Sequence, residues 1–298
     1  MSLVAFLGAI GVGLIYGLVA YGVFLSFRVL KFPDLTVDGS FPLGAAISAI
    51  LIINKVDPFV ATALAFVGGA IAGAITAFLT VKLKILNLLA SILVMVALYS
   101  VNLRIMGRPN IALLQENTIF TYFETSLLSN IYLYPIIFAV ILFIFFLLLK
   151  FFLSSQIGLA LRASGQNEKM ANAQGINTKL MVILGLALSN ALVALSGSLL
   201  AQSQGIADVN LGVGVIVIGL ASVIGGESII TPRTMVLALI AAVVGSVLYR
   251  LAIAMALNAD FIGFKAQDLN LITAILVTVA ILIPRAKNKF KKAKKWLN

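Results

Sequence analysis

Apolar residues in this chain come in long uninterrupted runs, near 3–27, 59–81, 85–106, 131–153, 178–202, 234–257 and 269–284. Runs of about 20 such residues read as helices that cross a bilayer. Two further runs are irregular. The stretch 41–53 reaches only about 20 Å as a helix, short of a hydrocarbon core of about 30 Å. The stretch 209–225 carries Gly212, Gly214, Gly219 and Gly225. Both predict short or broken helices. The pattern therefore predicts an all-α polytopic membrane protein of about nine spans, a single transmembrane domain over 1–298. Between two of the runs lies a polar cassette, "LRASGQNEKMANAQGIN" at 161–177, with helix-like spacing of small and apolar positions. A short helix lying flat under the membrane fits that spacing, and such a helix is able to fill a partner's groove.

Composition agrees with the pattern. The chain is 62% hydrophobic and 10% charged, with a mean hydropathy of +1.15, where an ordinary soluble domain carries about 25% charge. The net charge of +11 does not point to nucleic acid, because much of it sits in the tail "RAKNKFKKAKKWLN" at 285–298, a membrane-surface feature. There is no Cys and no His, which removes thiolate chemistry and the commonest general base. The N-terminal residues lack the positive start of a signal peptide and read as the first span.

Charge also orients the chain. With nine crossings and a cytoplasmic C-terminus, 16 of the 21 Lys and Arg fall inside; Lys55, Arg104, Arg108, Arg250 and Lys265 fall outside. That split follows the positive-inside rule and places the cassette in the cytoplasm.

Residues 18–37 align without a gap on 192–211, an offset of 174 that superposes Asp34 on Asp208 and Thr36 on Asn210. In each copy a long helix runs into an Asp, a polar turn and an irregular apolar segment. On the span count the copies are inverted, with repeat 1 over about 3–106, a linker helix at 131–153, a coupling segment at 156–177 and repeat 2 over 178–284. Inverted repeats with broken helices mark transporters, and the substrate route runs near the breaks.

"IGLALRASGQNEKMANAQGINTKLM" at 157–181 resembles the cytoplasmic loop of permease subunits of ABC importers, in the branched-chain amino acid and ribose group. The matching positions are Gly158, Arg162, Ala163, Gly165, Asn167, Ala171, Gly175 and Ile176. "FPDLTVDGSFPLGAA" at 32–46 and "IVIGLASVIGGES" at 216–228 are similar to two further segments of that group, with Asp38 a departure from the sugar-permease pattern. The resemblance implies a permease that pairs in the membrane as a homodimer, an ATP-binding subunit docked on the eight loop residues, and an extracytoplasmic substrate-binding protein. It implies the bacterial cytoplasmic (inner) membrane. No cofactor is expected on this chain. ATP and Mg belong to the partner ATPase, and the sequence holds no phosphate-cradling G-x-x-x-x-G-K-[ST] loop.

Candidate path residues lie at the breaks and within spans. Asp34, Asp38 and Asp208 either cap helix starts or serve substrate and gating. Thr36 and Asn210 offer hydrogen bonds at equivalent places. Asn87, Ser91 and Asn190 either glue helices together or line the path. Gly13 and Gly17, like Gly69 and Gly73, allow close backbone approach within the subunit or across a dimer. Glu227 joins the docking surface or is a solvated turn charge. The outer loop 104–130 docks a binding protein or covers helix ends. The expected function is import of a small solute, an amino acid favoured over a sugar, by a chain that is not itself an enzyme. The alternative is a stand-alone ion-coupled secondary transporter, which needs an intramembrane ionisable group such as Asp34, Asp38 or Asp208. An intramembrane enzyme is remote, since no pair of mid-span carboxylates exists.

Overall fold

The structure, a computed structural model, describes residues 3–123, 130–257 and 278. The expected span at 269–284, the basic tail at 285–298, and Glu124 and Lys265 lie outside the described residues. Helix α1 (Leu3–Val23) continues through a π-helical stretch, Phe24–Val29. It is followed by α2 (Val37–Ile53), α3 (Pro58–Val81), α4 (Asn87–Met106), a short strand β1 (Asn110–Ala112) and α5 (Asn130–Ser154). The polar cassette forms α6 (Gln156–Gln166) and α7 (Glu168–Ala173). Then come α8 (Thr178–Gln204), β2 (Ile206–Asp208), a 3-10 turn Val209–Gly212, α9 (Val215–Ile229) and α10 (Met235–Leu257).

Among the described residues seven helical segments are long and apolar enough to cross a membrane, and α2 is a shorter apolar helix. The chain is a multi-pass membrane protein. Three sequence expectations change in detail. The short segment begins at Val37 rather than 41, because Asp38, Gly39 and Ser40 form a helical first turn that reads as loop. The irregular segment 209–225 runs on to Ile229, and with its 3-10 turn it reaches spanning length at 21 residues. Its break is Gly214, held at φ +81°, a conformation open to glycine at little cost. The cassette is two helices, since Asn167 is extended (φ −154°, ψ 98°) and its side chain accepts from Met170 N to cap α7.

Local chemistry sets the ends. Asp57 caps α3 with bonds from Phe59 N and Val60 N, and Pro58 occupies the first helical position, where its missing N–H costs nothing. Asn177 caps α8 through Leu180 N.

Helix α8 is the most buried of the spans. It lies antiparallel to α1: Ser189 Oγ donates to Gly22 O at 2.7 Å, and Ser196 Oγ donates to Ile15 O at 2.8 Å. Helices α2 and α3 pack on α8, while α9 and α10 pack on α1. The glycine pairs pack inside this subunit. A Cβ on Gly69 or Gly73 would strike the Asn190 or Leu186 carbonyl of α8. A Cβ on Gly13 would crowd the Val247 backbone, and one on Gly17 would press on Leu142. On the side opposite the cassette, β1 pairs with β2 (Asn110 opposite Asp208), and Lys55 Nζ meets Glu116 Oε2 at 2.6 Å. The described part of the loop 104–130 is thus tied down over the helix ends.

Candidate functional site

The turn at 30–36 carries Asp34 back from the end of α1 into the protein, where it is fully buried. Its Oδ1 accepts from Thr36 N at 3.0 Å, closing a local turn, and its Oδ2 accepts from Asn190 Nδ2 at 2.7 Å. Asn190 Oδ1 accepts from Ser40 Oγ at 2.7 Å, and the Thr36 and Thr76 hydroxyls lie 2.7 Å apart. Asp34, Thr36, Ser40, Thr76 and Asn190 are all completely buried. Their polar groups satisfy one another, which removes most of the penalty for sinking a carboxyl and an amide into a low-dielectric interior. The cluster ties the turn, α2 and α3 to the middle of α8.

Asp38 does something different. Its Oδ1 accepts from Ile216 N at 2.7 Å and its Oδ2 from Gly214 N at 3.2 Å. Helix α9 begins at glycine and has no capping side chain of its own, so α2 supplies the cap from 176 residues upstream. A carboxylate there also meets the positive end of the α9 dipole. Pro42 has no N–H to give the Asp38 carbonyl, and Gly212 packs against that carbonyl.

The other predicted path residues stand apart. Asp208 accepts from Asn210 N at 2.7 Å, the same turn as Asp34–Thr36, but Asn210 is exposed. Asn87 is the exposed first residue of α4.

The cassette rests on the membrane helices. Gly165 lies against the Val29 carbonyl so closely that a Cβ would overlap it. Gly158 approaches Phe152 and Leu153 in the same way. Leu161 is fully buried beside Gly185 of α8, and Ala171 is buried under α7. Gly175 (φ +82°) turns the chain toward α8, with Ile176 half-buried. Facing outward are Met170, Leu159 and Asn167, with Arg162 and Ala163 partly exposed. Arg162 borders a cavity of about 580 Å³ with Arg28, Lys31, Arg233 and Glu227. Glu227 Oε1 accepts from Arg28 Nε at 2.9 Å, joining the ends of α1 and α9. Four cations against one carboxylate leave this cup positive, complementary to acidic side chains.

Ser40, Thr76 and Arg250 were not legible as site residues. Serine and threonine in an apolar helix give no signal of which neighbour they meet. Arg250 had a signal, a cation within the apolar run 234–257, but was counted with the outer charges. The structure places its guanidinium 3.9 Å from the ring centre of Tyr16, the midpoint of the segment Leu3–Val29.

Comparison with known proteins follows this geometry. A family model described as branched-chain amino acid transport system / permease component matches residues 5–283. A tyrosine transport system permease protein of Clostridioides difficile (strain R20291) is 40% identical over 280 residues, covering 94% of this chain and 91% of the relative. An uncharacterized protein of Rickettsia prowazekii (strain Madrid E) is 36% identical over 266 residues, covering 87% and 90%. Among solved structures, PsaBC from Streptococcus pneumoniae in complex with Fab shares the fold with a TM-score of 0.51 at 18% identity, over 93% of this chain and 89% of that one. With most of its length matched and its cassette seated on the membrane helices, this chain belongs to the permease-component family of branched-chain amino acid transport systems.

Proposed function

We propose that this permease imports an amino acid, an aromatic one in the first instance, powered by a separate ATPase subunit docked on α6 and α7. The observation that carries the reading is mechanical continuity. Gly165 of α6 abuts the end of α1, the following turn holds Asp34, and Asp34 is bonded to the middle of α8. Movement of a docked motor thus has a packed route to the membrane interior. The aromatic substrate is drawn from the relative named for tyrosine transport. ATP and Mg are assigned to the ATPase, and an extracytoplasmic binding protein is assigned to the outer loop. The predicted docking set is Gly158, Arg162, Ala163, Gly165, Asn167, Ala171, Gly175 and Ile176, with Arg162 contributing charge.

The architecture proposed is an inverted repeat of nine crossings in the bacterial inner membrane, C-terminus inside, working as a homodimer. Two features support the repeat. Exchanging each residue for the one 174 positions away turns the Gly22–Ser189 contact into the Ile15–Ser196 contact. The same exchange turns the packing of α3 on α8 into that of α10 on α1.

The test is purification of the tagged chain from its host in mild detergent, with mass spectrometry and L-tyrosine uptake in proteoliposomes. An ATPase subunit is expected at equal ratio, lost in Arg162→Glu, with uptake dependent on ATP. A chain that purifies alone and transports under an ion gradient would sink the reading.

A further inference from the structure

Arg250 is a cation deep in the bundle without a counter-charge among the described residues. Its Nε is buried and has no hydrogen-bond partner there. Its guanidinium lies on the face of Tyr16, and the Tyr16 ring in turn stacks on Phe41 at 5.6 Å. Tyr16 is 5% exposed and Phe41 fully buried, so the platform under the cation is rigid, while Arg250 itself keeps partial exposure. The aromatic face stabilises the charge without using its N–H donors. A guanidinium so held presents a planar fork of donors that suits a carboxylate. An ionisable group at this depth costs insertion energy, which marks it as functional by default.

The other half of the molecule shows that the scaffold does not need a cation here. Tyr16 and Asn190 are 174 positions apart, and so are Arg250 and Thr76. At the Asn190 and Thr76 places the polar groups are neutral and fully bonded, within the Asp34 cluster. One place is closed upon itself. Its counterpart keeps a donor, Arg250 Nε, without a partner among the described residues.

The geometry points to Arg250 as the anion-recognising residue of the transport path, taking the carboxylate of the transported solute while Tyr16 fixes its aim. The inference rests on the amino-acid import reading above and adds the group that reads the substrate's acid end. A free carboxylic acid and a zwitterion share this chemistry.

The native chain has no cysteine, so Arg250→Cys gives one label site per permease chain, read on the permease band of the complex assembled with its ATPase and binding protein. Arg250→Cys should lose L-tyrosine uptake by roughly tenfold or more, the scale of one charge-assisted contact. A cationic aminoethyl thiosulfonate should restore it and an anionic sulfonatoethyl one should not. L-tyrosine and 3-(4-hydroxyphenyl)propionate should slow the labelling, whereas tyramine, which lacks the carboxylate, should not. Arg250→Lys keeps a charge over Tyr16 and guards against misassembly of the first variant. It should assemble and raise the KM for L-tyrosine several-fold with kcat little changed. Full uptake by Arg250→Cys, its inertness to water-borne reagents, or an unchanged KM in Arg250→Lys would each overturn the proposal while wild-type import stands. A wild-type complex that carries no L-tyrosine would instead overturn the substrate reading of the preceding subsection.

Discussion

Asn190 shows how much one side chain holds. Its amide bonds Asp34 from α8 and accepts from Ser40 of α2. Asn190→Ala leaves a buried carboxyl and a buried hydroxyl short of partners, each worth about 1–3 kcal/mol. That exceeds the average of about 0.6 kcal/mol for hydrogen bonds between membrane helices, because the partner here is a carboxyl. A clear drop in the detergent thermal midpoint is expected. Asn87→Ala, at an exposed helix start, should stay within about 0.5 kcal/mol of the wild type. The sequence offered both amides as equal candidates, since each falls in an apolar run. Only the fold sets one against Asp34 and leaves the other outside.

At the scale of elements, two contacts join parts that are far apart in sequence. Asp38 caps α9 from α2. Asp38→Ala should cost about 1 kcal/mol, and Asp38→Asn should fall between Ala and the wild type, since its amide keeps one acceptor but sets an NH2 against the second N–H; thermal unfolding of the purified pair checks the order. Gly165 lets α6 touch the end of α1. Gly165→Leu should push the helices apart with helix content by circular dichroism unchanged. Uptake should fall by roughly 5–150-fold, the range of a coupling free energy of about 1–3 kcal/mol. Retained uptake with normal ATPase binding would show that force reaches α8 by another route. Asp34 and Asp208 were expected to cap or to serve the path. Both close the same turn onto the residue two positions on, and Asp34 does so while also bonding α8.

Over the whole molecule the charge asymmetry predicts sidedness. Met170 on α7 and Leu114 beside β1 are both well exposed, at 63% and 83%. In the cysteine-free background, Met170→Cys should react with a membrane-impermeant reagent only after the cells are opened. Leu114→Cys should react in intact spheroplasts. The reverse pattern would invert the chain and move the proposed docking face to the wrong side.

The run lengths of apolar residues determined by themselves that this chain crosses a membrane many times, because backbone polar groups in lipid are satisfied within helices and each helix must match the bilayer. The motifs at 32–46, 157–181 and 216–228 were enough, by resemblance, to reach the transport family. The tertiary structure alone decided which polar side chains meet. A helix's apolar surface looks the same in sequence whether it faces lipid or another helix, so α8 gave no sign of being central. Its serines, Asn190 and Gln202 acquire meaning only once α1, α2 and α3 close around them. Arg250 is the counterpart of that argument. Its charge was visible from the start, but its depth depended on which residue of α1 it faces, and that was fixed by helix packing rather than by position in the chain.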